Sequence, residues 1–102
     1  MSIFSLFRGA NLAEGVRRAA ECGAALVDVR TPEEFAEGHV PGAVNIPLGT
    51  LASAKLPAGE LYVYCHSGGR SAQAVRYLKG RGIKAENIGG IAGYTGPLER
   101  GF

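Results

Sequence analysis

Leu61-Tyr62-Val63-Tyr64-Cys65-His66-Ser67-Gly68-Gly69-Arg70-Ser71 is the stretch on which the fold turns. Its first part is apolar and aromatic, bounded by Gly59 and Gly68, and reads as a buried strand over 61–64. Its last part opens a helix over 71–80, with Ala72, Val75 and Leu78 facing inward. Strand, glycine loop and helix in that order form the repeating step of a parallel α/β sheet. In such a sheet, ligands bind at the carboxyl ends of strands. The next helix points its unpaired N–H groups at the same place. Gly68 and Gly69 let the backbone bend so that several N–H groups converge on an anion.

Cys65 stands at the mouth of that nest. The helix dipole, the loop N–H groups and Arg70 should all stabilise its thiolate, and Ser67 and Ser71 add hydroxyl donors. These features describe an activated nucleophile. The local pattern alone leaves a sulfur-transfer loop, a phosphate loop and an arsenate loop open. Cys22, late in a helix beside Gly23, reads as a small buried hydrophobe.

Outward from this stretch, helix-like and strand-like segments alternate. A helix over 11–22 is capped by Asn11, with Glu14 three residues on and Leu12, Val16, Ala19 and Ala20 along one face; Gly23 stops it. Residues 24–29 form a short buried strand. Thr31 caps a short helix opened by Pro32, Glu33 and Glu34 and ended by Gly38. A brief strand over 44–46 stops at Pro47, and 49–59 is a loop with room for one helical turn. A last strand lies within 82–88, and 89–93 reads as a flexible turn. The expected architecture is α/β, a mostly parallel central sheet flanked by helices on both faces. The apolar stretch 3–7 has no clear type, so residues 1–10 are expected to be a peripheral arm.

At 102 residues the chain suits one domain with one core. The net charge of +2 is spread along the chain without a block of like charges, which argues against a nucleic-acid partner. No apolar run approaches the ~20 residues of a membrane span, and no export signal is recognisable. The expected compartment is therefore a reducing cytoplasm, where the two cysteines are free thiols. Cys22, Cys65, His39 and His66 lack metal-ligand spacing, so neither a metal nor another cofactor is expected.

Three segments resemble the rhodanese family of sulfurtransferases in its small single-domain form. They are Asp28-Val-Arg-Thr-Pro-Glu-Glu-Phe-Ala-Glu-Gly-His-Val-Pro-Gly-Ala-Val-Asn-Ile-Pro47, the loop Cys65-His-Ser-Gly-Gly-Arg-Ser71, and Gly89-Gly-Ile-Ala-Gly-Tyr94. Together they span nearly the whole chain. The first is highly specific, and the second has the family's Cys-x4-Arg form followed by Ser.

The resemblance implies a two-step transfer. Cys65 takes the sulfane sulfur of thiosulfate or a persulfide and becomes a persulfide itself. A thiophilic acceptor, such as cyanide, a thiol or a partner protein, then removes it. It also implies that the N–H groups of His66, Ser67, Gly68, Gly69, Arg70 and Ser71 stabilise the outer sulfur. Related cysteine phosphatases use a loop one residue longer, which ranks a phosphatase or arsenate reductase below sulfur transfer. A non-enzymatic binding or sulfur-carrier module is the other alternative, opposed by the presence of Cys65. Asp28 and Arg30 are expected to support the loop through buried polar contacts, and His39 to be a structural histidine. Two positions depart from the family pattern. His66 follows the cysteine where Arg or another polar residue is frequent, which weakens the case for thiosulfate as donor. Tyr94 stands where Trp is frequent, a change expected to alter the pocket wall.

Overall fold

A computed structural model describes residues 11–102. The 3–7 stretch and the expected arm therefore lie outside the described residues. The elements are α1 (Leu12–Cys22), β1 (Ala25–Asp28), α2 (Pro32–Glu37), β2 (Val44–Asn45), a 3-10 turn (Leu48–Ser53), β3 (Leu61–Cys65), α3 (Gly69–Gly80) and β4 (Ala85–Gly90). The four strands form one parallel sheet in the order β2-β1-β3-β4. Parallel neighbours need long crossovers, which the helices and the 3-10 turn supply.

Both faces of the sheet are covered. On one, α3 packs Ala74, Val75 and Leu78 against Val27, Val29, Leu61, Val63 and Cys65. On the other, Leu12 and Ala19 of α1 meet Tyr62, Tyr64, Ile88 and Val40. All five residues of β3 are buried, which explains its unbroken apolar reading. Alternation along β3 sends Cys65 to the α3 face and Tyr64 to the α1 face.

Local signals set the helix ends. The Asn11 side chain accepts the Glu14 N–H at 3.3 Å, and Gly23 closes α1 in the left-handed conformation at φ 75°. Thr31 and Glu34 form a reciprocal capping box at the start of α2.

Four expectations need correction. Ala20 is exposed, and Gly15 joins Leu12 and Ala19 on the buried stripe of α1. A Cβ on Gly15 would lie 2.4 Å from the Cβ of Ile88, so its absence lets α1 close on β4. Helix α3 starts two residues before Ser71, and it buries Ala74 while Ala72 is only half-buried. Gly89 and Gly90 belong to strand β4, paired with Tyr64 and Cys65, because sheet neighbours override the turn propensity of glycine. The register slips between Val63 and Tyr64, which face Asn87 and Gly89, so Ile88 is an extra residue on β4.

Candidate active site

Helix α3 begins at a turn that only a residue tolerant of positive φ adopts easily, and Gly68 supplies it at φ 101°. Its N-cap offers no capping side chain. The Cys65 sulfur stands in that role. The Gly68 N–H donates to Sγ at 3.0 Å, and the Ser71 hydroxyl lies 3.4 Å from it. Burial pushes the Cys65 thiol up. The Ser71 hydroxyl and the N–H groups of Ser71, Gly68 and Ser67 outweigh that cost, leaving the thiol below its ordinary value. Cys65 itself is only 1% exposed, whereas His66, Ser67 and Gly69 above it are open to solvent.

Strand β4 and the two residues that follow it hold the loop from the side. Ile91 and Ala92 donate backbone N–H bonds to the carbonyls of Cys65 and His66, each at 2.9 Å. Gly90 lies so close that a Cβ there would sit 2.2 Å from the His66 carbonyl oxygen. The Gly89-Gly90 segment and the cysteine loop are thus two halves of one packed unit.

Asn87 is a site residue that sequence reasoning missed. Its Oδ1 accepts the Ser71 hydroxyl at 2.7 Å and the Gly89 N–H at 3.0 Å, and its Nδ2 donates to the Gly68 carbonyl at 3.2 Å. One side chain therefore links the loop, α3 and the bulge of β4. The Ser71 hydroxyl has a single proton for Asn87, the Gly68 carbonyl at 3.1 Å and Cys65. In the resting geometry the shortest of these contacts goes to Asn87.

Arg70 lies close enough to Cys65 for their charges to attract, but it makes no hydrogen bond to the sulfur. Both terminal nitrogens instead grip Glu34, at 2.8 and 3.0 Å. The Arg70 hydrogen bonds, with help from Thr31, hold the Glu34 carboxyl down at about 2. The physical reason is the early start of α3, which puts Arg70 in a first turn facing α2.

Asp28 and Arg30 pair in the interior, with Nη2 2.7 Å from Oδ2, Asp28 0% exposed and Arg30 5% exposed. Arg30 also donates to the Gly38 carbonyl at 2.8 Å, and its guanidinium lies over the Tyr64 ring. These bonds tie the end of β1 to the end of α2; none reaches residues 66–71. His39 stacks on Phe35 at 3.6 Å between ring centroids, and its Nδ1 bonds the Phe35 carbonyl at 2.8 Å. It lies with the Arg30 network and not beside the sulfur. Tyr94 packs against the α1-side core. Cys22 is exposed, contrary to the buried reading, because α1 ends at the rim of the sheet.

Comparison with known proteins gives this geometry a lineage. Residues 12–96 match the model of the rhodanese-like domain. The chain belongs to the rhodanese family. It is 36% identical over 81 residues to thiosulfate sulfurtransferase PspE of Escherichia coli K12, covering 74% of this chain and 78% of that protein. It is 39% identical over 79 residues to YrkF of Bacillus subtilis 168, provisionally designated a sulfur carrier, covering 72% of this chain and 43% of that protein. The chain thus spans less than half of YrkF. Among solved structures, a rhodanese-like domain protein from Staphylococcus aureus superposes with a TM-score of 0.68 at 38% identity, covering 78% of this chain and 82% of that one. This rhodanese-family chain therefore shares its parallel-sheet fold with rhodanese-like domains, and its relatives include sulfur-handling proteins.

Proposed function

We propose that this rhodanese-family chain is a sulfurtransferase whose Cys65 carries sulfane sulfur as a persulfide. The supporting observation is the position of the Cys65 sulfur at the N-terminus of α3, with the Gly68 N–H 3.0 Å away. The Cys65 thiolate attacks the outer sulfur of thiosulfate. The S–S bond breaks, sulfite leaves with the electron pair, and Cys65 becomes a persulfide anion. Cyanide, a thiol or a partner protein then attacks that outer sulfur, and the Cys65 thiolate is regenerated.

The roles follow from position. Cys65 is the nucleophile. The N–H groups of residues 66–71 stabilise negative sulfur without reorganising, because the loop is already braced from the side, and the Ser71 hydroxyl adds to them when its proton turns from Asn87 to the sulfur. Asp28, Arg30 and His39 act on the scaffold around the end of β1 and α2. Thiosulfate and cyanide are the convenient assay pair; a thiol or protein is the physiological acceptor in this reading. Two free cysteines suit a reducing compartment such as the cytoplasm. Four residues between Cys65 and Arg70 leave a cradle suited to one sulfur atom rather than a tetrahedral phosphate.

Intact mass after incubation with thiosulfate tests the reading. One added sulfur atom should appear in the native chain and in Cys22→Ser, and be absent from Cys65→Ser. If no donor ever loads sulfur while a phosphate ester is hydrolysed, the reading is wrong.

A further inference from the structure

Arg70 is the one permanent cation in residues 65–71. A dianionic donor in the loop would gain from this charge, yet it is already matched. The Glu34 carboxylate takes both terminal nitrogens, Nη1 to Oε1 at 2.8 Å and Nη2 to Oε2 at 3.0 Å. Glu34 is itself held from the other side. Its Oε1 accepts the Thr31 N–H at 3.0 Å and the Thr31 hydroxyl at 3.2 Å. The carboxylate cannot swing away from Arg70 without opening the cap of α2. A bidentate guanidinium–carboxylate pair is also among the stronger polar contacts available to side chains. The second candidate cation, Arg30, is matched in the same way by Asp28.

We propose that Glu34 determines donor specificity: by neutralising Arg70 it turns the Cys65 loop away from thiosulfate and toward persulfides of thiols. This rests on the sulfur-transfer reading of Cys65. Thiosulfate carries two negative charges and releases sulfite with two. A thiol persulfide carries at most one. In its transfer, the Cys65 thiolate attacks the outer sulfur of R–S–SH, the S–S bond breaks, and R–S⁻ leaves with the electron pair and takes a proton from water. Cys65 is left as Cys–S–SH. No strong cation is needed at any point, so a neutralised rim costs this donor little. The same neutralisation weakens capture of phosphate, in line with the short loop.

The test compares kcat/KM for thiosulfate and for a low-mass thiol persulfide. The native chain should favour the persulfide by at least about tenfold; a preference for thiosulfate overturns the proposal without any variant. Glu34→Gln removes the charge and keeps a capping-box side chain at that position. It should raise kcat/KM for thiosulfate roughly fivefold, through a lower KM, with the gain shrinking as salt rises. In an Arg70→Gln background the same change should give a different and smaller response, because the two residues act as a pair. If Glu34→Gln keeps its thermal midpoint within a few degrees of native and thiosulfate KM does not fall, the selection role is wrong. If sulfur loads on Cys65 in both proteins with one donor preference, only that role fails. If Cys65 loads from neither donor, the transfer reading fails with it.

Discussion

Cys22 closes α1 and Cys65 opens onto α3, and the two helix ends give their sulfurs opposite surroundings. Cys22 is exposed; its sulfur meets the Ala19 carbonyl at 3.9 Å and the Tyr62 hydroxyl at 3.7 Å. Cys65 is buried, yet its sulfur meets N–H groups and a serine hydroxyl. Access to water would favour Cys22 as the reactive thiol. The direction of the helix dipole and the supply of donors favour Cys65. The contrast teaches that a thiolate needs oriented donors more than it needs solvent.

The sharpest way to break this contrast is to exchange the two cysteines in turn. Cys65→Ser should lower thiosulfate-to-cyanide turnover by about a thousandfold or more, since the nucleophile is gone. Cys22→Ser should change it less than about twofold. Comparable losses in both variants, read as thiocyanate formed, would erase the distinction.

A smaller effect comes from disturbing what braces Cys65 but has no counterpart at Cys22. Gly90→Ala places a Cβ against the His66 carbonyl, so the loop must shift. Turnover should fall by roughly ten- to a hundredfold, because a displacement near 1 Å spoils reacting geometry. Ser71→Ala removes one donor to the sulfur and should lower turnover about tenfold, the worth of one hydrogen bond to a charged group. Alkylation of Cys65 at neutral pH should slow in parallel.

The smallest effect concerns stability. The folded Glu34 carboxyl sits at about 2 against an ordinary 4.5. A depressed carboxyl stabilises the fold above the unfolded value, and that contribution disappears as pH falls through the folded one. Denaturant melts of native protein and Glu34→Gln should differ by about 1 kcal/mol above pH ~5, with the gap closing toward pH ~2; partial exposure of the pair keeps the figure small. A gap that persists unchanged at the acid end would remove the ion pair as its source.

Much of this was legible in the chain because its signals are local. Strand, glycine loop and helix follow one another around Cys65, and the caps at Asn11, Thr31 and Gly23 announce their helices. What escaped reading depends on contacts between distant segments. Asn87 carries no local mark; its pairing with Val63 puts it on the α3 face, where it meets Ser71 and Gly68. Glu34 was readable as a capping residue, and its second partner, 36 positions away, was not. Gly89 and Gly90 look like a turn until β3 is placed beside them. Cys22 looked buried because a free cysteine is usually an interior residue, and nothing in its neighbours marks it as exposed.

The claim at the centre is that donors overcome burial at Cys65. A pH titration of iodoacetamide alkylation at Cys65, followed in Cys22→Ser so that one thiol reports, tests it most directly. The account predicts a midpoint clearly below the ~8.5 of a free thiol, moving upward in Ser71→Ala. A midpoint at or above ~8.5 would contradict it, because burial would then have won.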